Sequence, residues 1–324
     1  MELVTSVSDL RAAVTAARST GRRIGLVPTL GALHDGHLSN VRIATDRAGA
    51  VVVSIFLNPT QFDRPDDLEA YPRDLDADVA ALARLGSGAP AFVFAPPLEA
   101  VYPSEPLTTV RVARLTDVLE GASRPGHFDA VATIVTKLFN MVQPDLAVFG
   151  RKDFQQLQVI RRLVTDLDLP VTIVAGPTIR DPDGLALSSR NQRLSAHERT
   201  AALALSRALG SAVTRARADR DHGSSPDPTA VGDAAAATLE AADGLEVEYV
   251  AVVDPDTLRP PPDTPGSDRD HAAAGAAGAA DRLLVAIAAR VGPVRLIDNV
   301  EVGDIGDETR LLATIGTDRG RGTG

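Results

Sequence analysis

Two histidines in one short stretch have the types and spacing to bind a polyphosphate. His34 and His37 lie on either side of Gly36 and follow Gly31, directly after the apolar run at residues 24–27. A strand that turns through glycines into a helix presents backbone N–H groups, and the helix dipole favours an anion at that end. Imidazole rings add hydrogen-bond donors whose protonation changes near neutral pH. We predict a phosphate site here. A zinc pair and ordinary surface histidines are the alternatives, and the absence of cysteine weakens the first of them.

A lysine at the start of a predicted helix is a second candidate for the same chemistry. Lys152 and Lys137 are the only lysines among 33 basic residues, so each persists against a strong preference for arginine. A cation at a helix N-terminus is electrostatically unfavourable unless an anion lies nearby. Gln156 is four residues after Lys152 and three after Asp153, which puts it on the same helix face. We therefore expect this segment to contact an anionic ligand.

Neutral polar side chains follow another predicted strand and a later turn. Asn58 and Gln61 follow the apolar run at residues 51–57 and could hydrogen-bond a hydroxyl or carboxylate without repelling its charge. Ser188 and Ser189 precede Arg190, a combination suited to phosphate oxygens. Each stretch also has a plain interpretation, a loop that hydrogen-bonds itself in the first case and a capped turn in the second.

The elements that must position these residues alternate along the chain. Apolar runs predict strands at residues 24–27, 51–57, 91–95, 145–150 and 171–174, and helical periodicity predicts helices at 74–85, 129–142 and 154–167. This alternation predicts right-handed βαβ units and a Rossmann-like, doubly wound parallel sheet of the α/β class. Loops 28–37, 58–61 and 150–153 each follow a strand, so they should converge at one edge of the sheet.

The pattern changes near residue 179 and predicts a second, smaller α+β domain. A long alanine-rich helix is expected at 195–217, with strands at 246–253, 283–288 and 295–297. We place the domain boundary between 1–178 and 179–324. Two segments rich in Pro, Gly, Ser, Asp or Ala, 219–229 and 259–281, are expected to be disordered loops, and the tail 317–324 is expected to be mobile.

Composition excludes several classes of protein. The net charge of −10 argues against a nucleic-acid partner, because counterion release requires a basic face. Without cysteine, disulfides and thiolate catalysis are excluded. We expect no signal peptide, no membrane span and a cytoplasmic location, because the N-terminal residues lack a basic region followed by an apolar one and no apolar run approaches ~20 residues.

Six ordered motifs together resemble the pantoate–β-alanine ligase family. They are PTLGALHDGH, SIFLNPTQFDRPDDLEAYPRDLD, LEGASRPGHF, FGRKDFQQL, DGLALSSRN and RLIDNVEV. The resemblance implies an AMP-forming ligase, usually a homodimer, with a Rossmann-like N-terminal domain and a small C-terminal lid. It implies that pantoate and Mg²⁺-bound ATP form pantoyl adenylate, and that β-alanine then displaces AMP to give pantothenate.

The resemblance also implies roles for individual residues. The catalytic residues would be His37 as general acid, His34 beside it, and Lys152 neutralising charge between carboxylate and phosphate. The ATP-binding residues would be Leu30, Gly31, Ala32, Leu33, His34, Asp35, Gly36, His37, Gly150, Arg151, Lys152, Asp153, Ile179, Leu187, Ser188, Ser189 and Arg190. Pantoate and β-alanine would contact Gln61, Gln156 and Asn58, with Leu30 and Phe62 as apolar walls and Tyr71 and Arg124 at the rim.

The chain departs from the family pattern at several positions. Arg151 stands where the family usually has glutamate, Leu30 where it usually has methionine, and residues 175–177 read Ala-Gly-Pro in place of Gly-Val-Pro. The alternatives to the ligase are another nucleotidyltransferase with the HxGH motif and an ATP-binding protein weakened by Arg151.

Overall fold

The computed structural model describes residues 1–261 and 282–316. The chain forms two compact units, Met1–Pro177 and Thr178–Gly324, and the break falls one residue before the boundary predicted from the sequence. Most of the predicted loop at 259–281 and the whole tail 317–324 lie outside the described residues. Within the described part, no helix is both long enough and apolar enough to span a membrane.

The first unit is built on a six-stranded parallel sheet. Its strands are β1 (Glu2–Val4), β2 (Ile24–Thr29), β3 (Ala50–Ile55), β4 (Phe92–Phe94), β5 (Leu146–Gly150) and β6 (Thr172–Gly176). Its helices are α1 (Val7–Ser19), α2 (Asp35–Thr45), α3 (Pro65–Glu69), α4 (Leu75–Ala83), α5 (Leu98–Val101), α6 (Glu120–Ser123), α7 (His127–Val142) and α8 (Phe154–Asp166). Strand β3 is buried along nearly its whole length, as in a parallel sheet covered on both faces. The predicted α/β fold is confirmed.

Strand order determines where the loops meet. The order is β1-β4-β3-β2-β5-β6, so the chain moves outward from β2 in one direction and later from β5 in the other. Strands β2 and β5 pair directly, at Gly25 and Leu26. Ligands of open α/β sheets bind outside the carboxyl ends of the strands at such a reversal. The loops after β2 and β5 flank it.

Strand β2 is longer than its apolar run predicted and continues through Pro28 to Thr29. A proline is usually excluded from central strands because it cannot donate a ladder hydrogen bond. Within β2, only Gly25 and Leu26 pair with β5. The last residues of β2 therefore pair with β3 alone. This end of β2 has edge character, which explains how it accommodates the proline.

The second unit is the predicted α+β domain. It contains α9 (Ala196–Asp221), α10 (Pro228–Glu240) and α11 (Ile305–Gly316), with β7 (Glu246–Val253), β8 (Leu283–Val291) and β9 (Val294–Val302). The three strands form an antiparallel sheet in the order β7-β8-β9. Alanines on one face of α9 are fully buried in the core of this unit, among them Ala202, Ala208 and Ala212.

The prediction of a disordered loop at 219–229 is wrong in extent. Helix α9 continues to Asp221 and α10 begins at Pro228, which leaves a short connection at residues 222–227. Asp219 organises this connection, because its side chain accepts from Asp227 N at 3.2 Å and its carbonyl accepts from Ser224 N at 3.0 Å. Asp227 then caps α10 by accepting from Thr229 N. Two aspartates of the segment whose composition predicted disorder therefore order the connection.

A close contact explains why residue 176 is glycine in the segment Ala175–Pro177, where the chain departs from the family pattern. A Cβ on Gly176 would lie 1.8 Å from Oδ1 of Asn40, a side chain of α2 that is 8% exposed. That oxygen is buried and has no hydrogen-bond partner in the described part of the chain. Strand β6 keeps its register with β5 through Gly176. The side chain of Asn40 therefore occupies the space that a Cβ at position 176 would need.

We predict that Gly176→Ala destabilises the protein by about 1–3 kcal/mol, because inserting a methyl group into packed space forces its neighbours to move. Removing the obstructing amide with Asn40→Ala should restore much of this loss in the double variant. Thermal unfolding of the two single variants and the double variant gives the coupling between the sites.

Gly150→Ala is the matched control for this experiment. A Cβ there would meet Asn40 Nδ2 at an ordinary 3.6 Å, so its effect should be much smaller. Strictly additive losses in the double variant would contradict the assigned contact.

Candidate active site

The two histidines form one hydrogen-bonded unit at the start of α2. His34 is the N-cap residue, and its Nδ1 accepts from Gly36 N at 3.2 Å. His37 Nδ1 accepts from His34 N at 3.3 Å, and the two ring centroids lie 4.0 Å apart. Since both Nδ1 atoms accept, each neutral ring carries its proton on Nε2. The pair can therefore offer Nε2–H donors to an anion.

His37 stays neutral at physiological pH. The pKa of His37 is lowered from 6.5 to about 3, chiefly because the ring is buried and to a lesser extent because His34 and Lys152 lie nearby. The ring is thus a hydrogen-bond donor in the ligand-free protein, and the positive charge nearby comes from Lys152. Because Lys152 affects the pKa of His37, the loops after β2 and β5 lie at one site, as the sheet topology predicted.

Lys152 lies between β5 and α8 in a 3₁₀ turn, Arg151–Asp153. Its Nζ is 3.9 Å from Oδ1 of Asp153, with the lysine side chain 20% exposed. Gln156, in the first turn of α8, is half-buried, and its amide has no hydrogen-bond partner among the residues that the structure describes. The Gln156 amide is thus available to a ligand, in the stretch of chain that also carries Lys152.

Neighbouring Gln155 has a structural role. Its Oε1 accepts from Glu120 N at 2.9 Å, and its Nε2 donates to the carbonyls of Leu115 and Val118, both at 2.7 Å. These bonds hold the segment before α6 against α8. They leave Gln156 as the glutamine of this pair that can meet a ligand.

The loop after β3 is a compact turn, Pro59–Gln61. Asn58 is fully buried, and its Nδ2 donates to Gln61 Oε1 at 3.2 Å. Its Oδ1 accepts from Thr60 Oγ1 at 2.9 Å and from Tyr102 Oη at 3.1 Å. The amide of Asn58 is occupied within the loop and orients Gln61, and direct substrate contact by Asn58 stays a prediction.

Arg124 and His127 hold the backbone of this loop. Arg124 donates to Asp63 Oδ1 at 2.8 Å and to the Gln61 carbonyl at 3.1 Å, and His127 Nδ1 lies 2.8 Å from the same carbonyl. Arg124 Nη1 is 3.3 Å from His127 Nε2. Since the guanidinium can only donate, Nε2 accepts and Nδ1–H donates to the carbonyl. Arg124, predicted at the rim, thereby positions Gln61.

Electrostatics keep this cluster in one protonation state. Burial and the charge of Arg124 lower the pKa of His127 from 6.5 to about 4, despite the hydrogen bond to Gln61. Burial raises the pKa of Asp63, but the hydrogen bond and charge of Arg124 outweigh it and lower the pKa overall. At neutral pH the cluster holds an anion, a cation and a neutral ring.

Aromatic residues link the β3 loop to the histidine loop. The rings of Phe62 and Tyr71 meet edge to face with centroids 5.8 Å apart, and Tyr71 Oη lies 3.5 Å from the Gly31 carbonyl. Leu30 is half-buried beside Gly31, whereas Tyr71 is buried rather than at a rim. Phe62 and Tyr71 thus join the β3 loop to the histidine loop, and the side chains of Asp35 and Asp153 are exposed.

The remaining predicted residues lie on one hairpin of the second unit. Leu187 N donates to the Ile179 carbonyl at 2.9 Å, and Ser188 caps the 3₁₀ turn Ser189–Arg193. The hairpin is fixed by the bidentate pair of Arg180 and Asp298, at 2.6 and 2.8 Å. Burial alone would lower the pKa of Arg180, and the Asp298 carboxylate keeps it raised. ATP binding by Ile179, Leu187, Ser188, Ser189 and Arg190 stays a prediction.

Sequence reasoning missed two residues of this site. His127 was given no role, although the Arg-Pro-Gly-His sequence that brings it beside Arg124 lies within the motif LEGASRPGHF. Asp78, on α4, was not considered, yet it accepts from the backbone of Ala32 and Leu33. No local signal indicated that contact, because it joins residues 45 and 46 positions apart.

Comparisons with known proteins agree with this architecture. A family model described as pantoate-beta-alanine ligase matches residues 2–301. A pantothenate synthetase of Pseudomonas aeruginosa is 48% identical over 93% of this chain and 99% of that protein. A crystal structure of pantothenate synthetase from Thermus thermophilus has a TM-score of 0.80 at 41% identity, covering 93% of this chain and 99% of that one.

A more distant structure has bound ligands. The pantoate-beta-alanine ligase of Francisella tularensis, complexed with beta-gamma ATP and beta-alanine, has a TM-score of 0.68 at 29% identity, covering 92% of this chain and 97% of that one. Family model, relatives and solved structures all extend over nearly the whole chain. The chain belongs to the pantoate-beta-alanine ligase family.

Proposed function

We propose that the protein condenses pantoate with β-alanine to form pantothenate, converting ATP to AMP and pyrophosphate through a pantoyl adenylate. The observation that carries the proposal is the joint placement of His37 and Lys152 where the strand order reverses between β2 and β5. Family membership supports the reaction, and the ATP and β-alanine complex of the Francisella relative supports the substrates.

The geometry fits a two-step reaction. A pantoate carboxylate oxygen attacks the α-phosphorus of ATP, an O–P bond forms, and the bond to the leaving pyrophosphate breaks. Lys152 neutralises the charge that builds up between the two anions, and the Nε2–H groups of His34 and His37 donate to phosphate oxygens. A hydrogen-bond donor aimed at developing charge commonly stabilises the transition state by several kcal/mol, roughly 3 to 4.

The second step consumes the mixed anhydride. The β-alanine amine attacks the acyl carbon, a C–N bond forms, the C–O bond to AMP breaks and the amine releases a proton. Gln61 and Gln156 would hold pantoate in both steps, because neutral amides bind its hydroxyl and carboxylate groups without adding charge. Arg124 and His127 both bind the backbone carbonyl of Gln61, and this fixes the direction of the Gln61 side chain.

Magnesium enters as part of the substrate, Mg·ATP. No group of three or more potential metal-ligating side chains occurs among residues 1–261 and 282–316. With nucleotides, Mg²⁺ is commonly bound by substrate phosphates and water with one or two carboxylates.

Arg151 motivates a second candidate, a weakened ATP-binding protein. It places a further cation beside Lys152, at a position where the family resemblance leads us to expect glutamate. Incubation with Mg·ATP, pantoate and β-alanine tests the proposed ligase through formation of AMP and pantothenate. Pantoate-dependent exchange of pyrophosphate into ATP isolates the first step. ATP binding without that exchange would favour the weakened protein, and exchange without pantoate would favour another nucleotidyltransferase.

The homodimer and the cytoplasmic location stay predictions. Sedimentation at several protein concentrations would measure the oligomeric state.

We predict that Lys152→Ala lowers pantoate-dependent pyrophosphate exchange by roughly 100- to 1000-fold, the loss typical of removing one group that stabilises transition-state charge. The fold should persist, because Lys152 lies outside the buried core. Arg162→Ala, which removes an exposed cation from the helix that follows Lys152, is the control and should exchange at the parent rate. Parent-level exchange by Lys152→Ala would disprove the assigned role.

We also predict that Gln156→Ala raises the KM for pantoate about tenfold, the cost of roughly one hydrogen bond to a charged group, and changes the KM for ATP much less. Initial rates with each substrate varied in turn measure the two values. Asn140→Ala, an exposed amide on α7, serves as the control. Equal increases in both KM values would count against a pantoate contact.

A further inference from the structure

A buried carboxylate outside the predicted site holds the histidine loop. Asp78 lies on α4 and is 5% exposed. Its Oδ2 accepts from Ala32 N at 3.0 Å, and its Oδ1 accepts from Leu33 N at 2.7 Å. Each carboxylate oxygen therefore binds one of two consecutive backbone N–H groups, directly before the His34 cap.

This carboxylate is unlike an ordinary core residue. Burying an ionised group is unfavourable unless it is paired, and burial raises the pKa of Asp78 against the opposing effect of the Leu33 and Ala32 hydrogen bonds. No basic side chain forms an ion pair with it within the described residues. Its partners are the two N–H groups of the loop.

The loop has a backbone shape that needs external support. Gly31 has φ +91° and Ala32 has φ +51°, and a non-glycine residue in the left-handed region carries a strain of roughly 1–2 kcal/mol. A Cβ on Gly31 would lie 3.0 Å from Asp78 Oδ2. The carboxylate and the turn are thus fitted closely to each other.

The hydrogen bonds of the loop also determine what can meet a phosphate. Gly31 N donates to Thr29 Oγ1, Ala32 and Leu33 donate to Asp78, and His34 and Gly36 donate to the histidine rings. These backbone groups are engaged inside the protein. An anion at this loop is therefore recognised by the Nε2–H groups of His34 and His37 and by Lys152, which makes the orientation of the rings decisive.

We propose that Asp78 is a positioning residue of the ligase, which fixes the turn before α2 and so aims His34 and His37 at the phosphates of ATP. The inference rests on the proposed function and deepens it. Asp78 does not touch substrate; it acts through the two backbone N–H groups.

Asp78→Asn tests this role at nearly constant volume. The amide keeps one oxygen acceptor but turns an NH₂ group towards the other backbone N–H. Pantoate-dependent pyrophosphate exchange at saturating substrates should fall by roughly 10- to 100-fold, the effect of a displacement of about 1 Å in catalytic groups. The KM for pantoate should change little. Asp76→Asn, an exposed aspartate in the first turn of the same helix, is the charge-matched control and should retain parent activity.

Amide hydrogen exchange separates positioning from general loss of structure. The amides of Ala32 and Leu33 should exchange at least about tenfold faster in Asp78→Asn, the increase expected from the loss of one hydrogen bond. Amides in β3 and β5 should keep their protection. Parent-level activity would overturn the inference, and so would lost activity with unchanged protection of these two amides. If the variant does not fold, fast exchange of Ala32 and Leu33 in the parent protein would overturn it as well.

The same measurements distinguish a failure of the proposed ligase function from a failure of the positioning role. A parent protein that shows no pantoate-dependent pyrophosphate exchange would refute the ligase. Asp78→Asn should then still weaken binding of ATP by about tenfold and expose the two amides. Unchanged ATP affinity would refute the positioning role.

Discussion

The structure depends on the reversal of strand order between β2 and β5. Because these neighbouring strands are parallel and the chain leaves them in opposite directions, their following loops must share one edge of the sheet. That constraint brings a histidine pair from residues 34–37 beside a lysine more than a hundred positions later in the chain. The chemistry we propose needs this juxtaposition, since neither loop alone carries both the donors and the cation.

Buried polar contacts then set the details of the site. Neutral His37 and His127 have pKa values lowered to about 3 and about 4, so both rings act as oriented donors or acceptors near pH 7. The fixed charges are Lys152, Arg124 and the carboxylates that hold loops. Such preorganised groups need little rearrangement when charge develops. Supporting residues such as Asn58, Asp78 and Arg124 are accordingly as much a part of the site as the residues that face the ligand.

Much of the fold could be predicted from local sequence. Continuous apolar runs such as residues 51–57 indicated buried strands, and helical periodicity located α4, α7 and α8 within a few residues. The convergence of the loops after β2 and β5 followed from the rule for parallel sheets. The six motifs supplied the family and the reaction, which periodicity alone would not have indicated.

What could not be predicted depended on contacts between distant residues. The bonds from Asp78 to the histidine loop and the fit of Asn40 against Gly176 leave no trace in local spacing. Gln155 and Gln156 look equivalent in the sequence, and only the surroundings of α8 show that the first is occupied by backbone groups. The composition of segment 219–229 predicted disorder, yet Asp219 holds the connection between two helices and Asp227 caps α10. In each case tertiary contacts decided the outcome.

Transfer of a labelled oxygen tests the central claim most directly. Pantoate labelled with ¹⁸O in its carboxylate is incubated with the protein, Mg·ATP and β-alanine, and the products are analysed by mass spectrometry. If the carboxylate attacks the α-phosphorus and the amine then displaces AMP, one ¹⁸O atom must appear in AMP and the other must remain in pantothenate. Unlabelled AMP, or ¹⁸O in inorganic phosphate with formation of ADP, would contradict the account.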